Sequence, residues 1–313
     1  MKKSIIILSI LVLAGMEIFA QSEPITLLFG GDCTFATAFD KPTGNDFARP
    51  FKNIPWFGKA DISMVNFENC VSLRGKKVEK KFNFKMNPKY LEVMRLAGID
   101  IVNMANNHVI DYGLEAFIDS QYYLDSMKIK HSGAGTNIDE ARKPAIIEVK
   151  GKKFGFLGYY SGNPAGKNSY GTAPRNPEMI KADIKNLKEN LKADYVIVNY
   201  HWGEEGSHFA NSEQKSLAHL TIDAGADAVI GTHPHVLQAV ETYKGRFICY
   251  SLGNFIFGGN ARKEHDTMIF KLIVKDGVLS SEIIPIHVTN FAAFDVDAKK
   301  RAKILEDIES YGK

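Results

Sequence analysis

The chain has 313 residues, with 39 Lys and Arg against 36 Asp and Glu, and is 45% hydrophobic and 11% aromatic. That composition belongs to a folded globular protein with a large core, and it excludes disorder and collagen-like repeats. A formal charge of +3 gives no bulk electrostatic drive toward nucleic acid or an anionic membrane, and three cysteines are too few for a disulfide scaffold.

At the N-terminus Lys2 and Lys3 precede the apolar run from Ile5 to Gly15, and Ala20 closes the segment before polar Gln21. The pattern predicts a secretory signal over residues 1–20 and an exported protein, periplasmic or extracellular. The run is short for a bilayer span, which takes about 20 residues; a retained N-terminal membrane anchor is the alternative. Residues 21–290 then read as one domain, followed by a terminal amphipathic helix within 291–313.

Within the domain, short apolar runs alternate with helical stretches, the pattern of an α/β protein. Strands are predicted at Ile25 to Phe29, Ile62 to Val65, Ile99 to Met104, Tyr195 to Tyr200 and Ala228 to Gly231. Helices are predicted at Pro88 to Ala97, Leu114 to Met127, Pro177 to Leu191 and Ser212 to Ala224. Lys150-Gly151 and Asp276-Gly277 mark hairpins, so a mixed, two-sheet sandwich fits better than a purely parallel sheet. Lys76 to Lys85 contains five lysines; it reads as an exposed face, with steering of an anionic substrate as the sharper alternative. Ser161 to Arg175 is a candidate functional loop. Cys33 and Cys70 read first as small buried residues.

Each predicted strand is followed at once by a polar cluster. Together these clusters offer Asp32, Asn66, Glu68, Asn107, His108, Asp111, His201, His233 and His235. Right-handed crossovers gather the C-terminal ends of parallel strands along one edge, where ligands bind. Imidazoles and carboxylates are the donors of a borderline divalent cation such as Zn, Mn or Fe, and buried carboxylates without one would have to protonate. In the His-Pro-His segment, alternate residues of an extended chain can flank one centre. Each residue alone has a plainer reading as a cap or a core polar group.

The segments GGDCTF, NFENCVS, ANNHVIDYG, HWGEE, GADAVIGTHPHV and YSLGNFIF resemble, in order and spacing, the motif series of the CapA family of poly-γ-glutamate capsule biosynthesis proteins, related to calcineurin-like metallophosphoesterases. The resemblance implies a four-layer α/β/β/α sandwich with mixed sheets and one or two divalent metal ions at the strand ends. It implies Asp32 as a ligand of one metal, Glu68 in the bridging position, Asn107 and His201 on the other, and His233 and His235 divided between them. His108 would touch the substrate or protonate the leaving group, with Asp111 orienting it. Asn66, Asn254 and Trp202 would lie on the substrate side, although LGNF also reads as a glycine-enabled turn and Trp202 as a core aromatic. Thr34 stands where such phosphoesterases usually place a histidine, which puts one metal position in doubt. The implied activity is metal-dependent hydrolysis in capsule or poly-γ-glutamate synthesis or processing, on an anionic polymer or a phosphoester, with membrane capsule-synthesis partners and no nucleic acid. A non-catalytic accessory that grips or guides the polymer is the alternative. A secreted nucleotidase is disfavoured, because few residues follow Phe257.

Overall fold

All five apolar runs form strands, and their ends decide where the polar clusters go. The computed structural model describes residues 23–36, 39–259 and 264–313; the predicted leader lies outside them. In chain order the main strands are β1 (Ile25–Thr34), β2 (Ile62–Phe67), β3 (Ile101–Asn103), β4 (Lys130–Ser132), β5 (Ala145–Val149), β6 (Lys152–Tyr159), β7 (Tyr195–His201), β8 (Ala228–Thr232), β9 (Val240–Tyr243), β10 (Arg246–Cys249), β11 (Asn254–Phe257), β12 (Glu264–Lys275), β13 (Val278–Thr289) and β14 (Ala292–Asp295). The main helices are α1 (Leu91–Leu96), α2 (Gly113–Ser126), α3 (Pro177–Glu189), α4 (Ser212–Asp223) and α5 (Ala298–Ser310).

One sheet has the order β14-β13-β12-β1-β2-β3-β4, with β11 also on β1; the other has the order β9-β10-β8-β7-β6-β5. The centre of each is parallel, and both hairpins lie at the predicted turns. Lys150, Gly151, Asp276 and Gly277 all have positive φ, the backbone of a two-residue turn that matches strand twist. Apolar residues of the facing sheets meet in one core that includes Leu27, Phe29, Met64, Phe156, Ile197 and Ile230. The outer face of the first sheet packs on α1 and α2 through Val65, Val102, Val93 and Phe117. The outer face of the second packs on α3 and α4 through Val196, Val229, Ile184 and Leu217. The layers are therefore α/β/β/α with mixed sheets.

Local chemistry explains the helix starts. Asn176 accepts from the N–H groups of Glu178 and Met179, with Pro177 in the first turn of α3. Asn211 and Gln214 cap each other's backbone at the start of α4. The predicted Pro88 to Ala97 helix divides into a tight turn, Pro88–Tyr90, and α1. β3 is shorter than its apolar run because the Ile99 N–H still donates to Met94 O in the helix's closing turn, at 3.1 Å. The segment after residue 290 first adds β14 to the sheet, and α5 then lays Ile304 and Ile308 against the inter-sheet core. No helix among the described residues is long and apolar enough to cross a membrane. Cys33, Cys70 and Cys249 are free and buried.

Gly30-Gly31 is where β1 changes partner. Residues 25–29 pair with β12, whereas Asp32 and Thr34 pair with β11. The Asp32 N–H donates to Gly253 O at 3.0 Å, and Gly253 turns the chain with φ of 74°. A Cβ on Gly31 would lie 1.9 Å from that same carbonyl. A backbone atom cannot step aside cheaply, so Gly31→Ala is expected to cost at least about 2 kcal/mol, read as a lowered denaturation midpoint; an unchanged midpoint would contradict this packing.

Candidate metal centre

The C-terminal ends of the parallel strands converge. Asp32 is near the end of β1, Asn66 of β2 and Asn103 of β3, while His201 and Thr232 are the last residues of β7 and β8. Asp32, Glu68 and His201 are wholly buried and offer ligand atoms within 4.8 Å of one another; exposed Glu205 and part-buried His233 and His235 also offer ligand atoms within 4.8 Å of one another. The Glu68 carboxylate organises the centre. Its Oε1 is 3.8 Å from His108 Nε2, 3.8 Å from His201 Nε2 and 3.7 Å from His235 Nε2.

That oxygen is buried and has no hydrogen-bond partner, as does His233 Nδ1. Leaving such atoms unpaired costs about 1–3 kcal/mol each. Ligands bonded at about 2.0–2.2 Å to one cation stand roughly 3–4 Å apart, which is the spacing of Glu68 Oε1 from the imidazoles. The donor set therefore fits a divalent cation.

The other predicted residues divide by position. Asn107 Oδ1 lies 2.8 Å from His201 Nε2, at the centre. His108 Nδ1–H donates to Asp111 Oδ2 at 2.6 Å, which directs Nε2 toward Glu68. Asp111 also accepts from the Phe84 N–H and from Lys80, both at 2.7 Å, and Phe84 stacks on the His108 ring. Asn66 and Asn254 sit behind the ligands. Asn66 Nδ2 donates to Asp32 Oδ1 at 2.8 Å, and its Oδ1 accepts from Asn103. Asn254 Oδ1 lies 2.9 Å from His235 Nδ1, so that His235 can keep Nε2 free on the Glu68 side. Trp202 is placed elsewhere: its indole N–H donates to Tyr250 O, and the ring stacks on Tyr200 within the helix-side core. Thr34 is buried, with an unpartnered hydroxyl.

Two residues were not distinguished by sequence. Lys80 belongs to the lysine run, yet it alone reaches in, donating to Asn107 O and Asp111, while Lys76, Lys77 and Lys81 are exposed. Spacing gave no sign of this. Glu205 follows His201 in HWGEE, but two adjacent glutamates gave no ground for choosing between them.

The electrostatics follow from burial and mutual proximity. Burial, then the charge of Asp32, drives the Glu68 carboxyl well above its usual range. Burial would also raise Asp32, but hydrogen bonding and charge from His235 outweigh it and hold it low. His201 falls well below the ordinary imidazole value through burial and then the imidazoles of His233 and His235. Burial and His235 bring His233 to about 4. His235 moves the other way, raised against burial by its hydrogen bond to Asp32 and that residue's charge; the neutral imidazole is the form that binds a metal.

The family model for bacterial capsule synthesis protein PGA_cap matches residues 26–259, which span every motif at the centre. The chain belongs to the PGA_cap family. It is 30% identical over 283 residues to the capsule biosynthesis protein CapA of Bacillus anthracis, covering 86% of this chain and 68% of that protein. It is 32% identical over 264 residues to the PGA biosynthesis protein CapA of Bacillus subtilis, covering 81% of this chain and 69% of that one. Among solved structures it is similar to the sulfate thiohydrolase SoxB of Thermus thermophilus, with 14% identity, a TM-score of 0.43, and coverage of 80% of this chain and 41% of that chain. In this PGA_cap chain the buried polar layer tests itself without any substrate. Asn66→Ala would leave Asp32 and Asn103 short of partners inside the protein, an expected loss of about 2–4 kcal/mol in chemical denaturation; a neutral substitution would contradict the network.

Proposed function

We propose that this protein is an exported, metal-dependent hydrolase that acts in capsule or poly-γ-glutamate synthesis or processing. The observation that carries the reading is the unpartnered Glu68 Oε1 ringed by three imidazole nitrogens at 3.7–3.8 Å. Asp32, Glu68, Asn107, His201, His233 and His235 would hold the metal, as one ion or two. A bound divalent ion supplies Lewis acidity and lowers the pKa of water toward about 7.

The residues of the chain then have separate tasks. Asp111 accepts the Nδ1–H of His108 and would stabilise its imidazolium, so that Nε2, after taking up the proton released by the attacking water, could pass it to a departing oxygen or nitrogen. Lys80 neutralises Asp111 and ties the Asn107 backbone to the same point. Asn66 and Asn254 orient Asp32 and His235 from behind. A buried Asp–His pair aimed at the cation favours catalysis over a passive grip on polymer, which has no use for it. A cleft of about 400 Å³ reaches His235, lined by Glu264, Asp266 and Asp307.

Turnover of model phosphoesters and γ-glutamyl peptides, with and without added Mn or Zn, tests the activity. Asp32→Ala and His235→Ala are expected to lose both metal and turnover, whereas His108→Asn keeps its metal and falls about 10²–10⁴-fold in rate. Full activity in either ligand variant contradicts the assignment. Adding Mn or Zn to chelator-treated protein at about a hundredfold over the dissociation constant should stabilise it by ~2.7 kcal/mol, seen as a raised melting temperature; no shift with any divalent ion would remove the metal from the account.

A further inference from the structure

The first cation position accounts for Asp32, Glu68 and His201, but not for the geometry of the loop after β7. Trp202 N–H donates to Thr232 O at 3.1 Å, Gly206 N–H to Pro234 O at 2.8 Å, and the Gln238 amide to Ser207 O at 2.8 Å. The HWGEE loop is thus fastened along the whole length of the His-Pro-His loop. The effect is to hold the Glu205 carboxylate so that one oxygen lies within 4.8 Å of a nitrogen from each of His233 and His235. Both histidines have left-handed backbone, with φ of 99° and 58°, a conformation that non-glycine residues adopt at a cost.

Two buried polar atoms in or beside this second group have no hydrogen-bond partner. Glu68 Oε1, fully buried, is 3.7 Å from His235 Nε2, and His233 Nδ1 is buried and unpaired. One carboxylate and two imidazoles form a donor set suited to Zn, Mn or Fe. Thr34, by contrast, is a poor ligand, and its hydroxyl is unpartnered.

We infer that Glu205 is a metal ligand, and that with His233 and His235 it holds a second divalent cation beside the one held by Asp32, Glu68 and His201. The inference rests on the metal-dependent reading of the site. It predicts a two-ion centre whose second position is open to solvent on the Glu205 side, since Glu205 is exposed; that ion is therefore the more readily removed.

The test is metal stoichiometry rather than activity. Full-length protein and Glu205→Gln are stripped with chelator, dialysed against Mn²⁺ or Zn²⁺, and measured by elemental analysis and calorimetric titration. Wild type should bind two equivalents and Glu205→Gln one, with equal melting temperatures in the stripped state because an exposed side chain has changed. Equal stoichiometry in the two proteins, at one or at two, overturns the role of Glu205 and leaves the metal-dependent reading standing. No bound metal in wild type overturns both.

Discussion

Asp32 and Glu68 are two carboxylates withdrawn entirely from water at the meeting of two sheets, and among the described residues their ion-pair partners are imidazoles. Burying like charges side by side is costly, and a folded chain must protonate one, pair it with a fixed cation, or bind a mobile one. Here the fixed cation is spent elsewhere: Lys80 serves Asp111. Burial holds His108, His201 and His233 low, while His235, raised against burial by its hydrogen bond to Asp32 and that residue's charge, serves Asp32; none is left to balance Glu68, yet they can share a metal ion with it. The rest of the centre follows from that constraint.

The fold meets the constraint through strand direction. β1, β2 and β3 run parallel in one sheet, and β7 and β8 run parallel in the other. Their C-terminal ends therefore open at the same rim, and side chains distant in sequence arrive at one point. The rim is held tightly. Gly31 allows the turn at Gly253 to approach β1, which sets Asn254 against His235. The segment before Phe84 packs over the ANNHVIDYG loop, with the Val78 N–H donating to Asp111 O. Such close support gives the centre its preorganisation, at the expense of strained backbone in the His-Pro-His turn.

Much of this was legible in the sequence, for physical reasons. Apolar runs of strand length that ended in polar clusters located the rim, because a side chain just past a buried strand has few places to go. The turns at Lys150-Gly151 and Asp276-Gly277 located the antiparallel edges, since two left-handed residues in succession suit little else. The sequence could not separate residues that touch the centre from those behind it. Asn66 and Asn254 read as substrate-side groups, but each is turned inward to hold a ligand. Trp202 follows His201 directly and so points to the opposite face, toward the helices. Lys80 and Glu205 were hidden among like neighbours, because only the course of a loop decides which member of a charged run turns inward.

The central claim is that the unpartnered oxygen of Glu68 is a metal-bound oxygen in the working protein. Crystals grown with Mn²⁺ or Zn²⁺ and measured at the metal's absorption edge test it most directly. An anomalous peak is expected about 2.0–2.3 Å from Glu68 Oε1, in bonding contact with His201 and Asp32. A centre without such a peak, with the Glu68 carboxylate instead paired to a protein donor, would contradict the account.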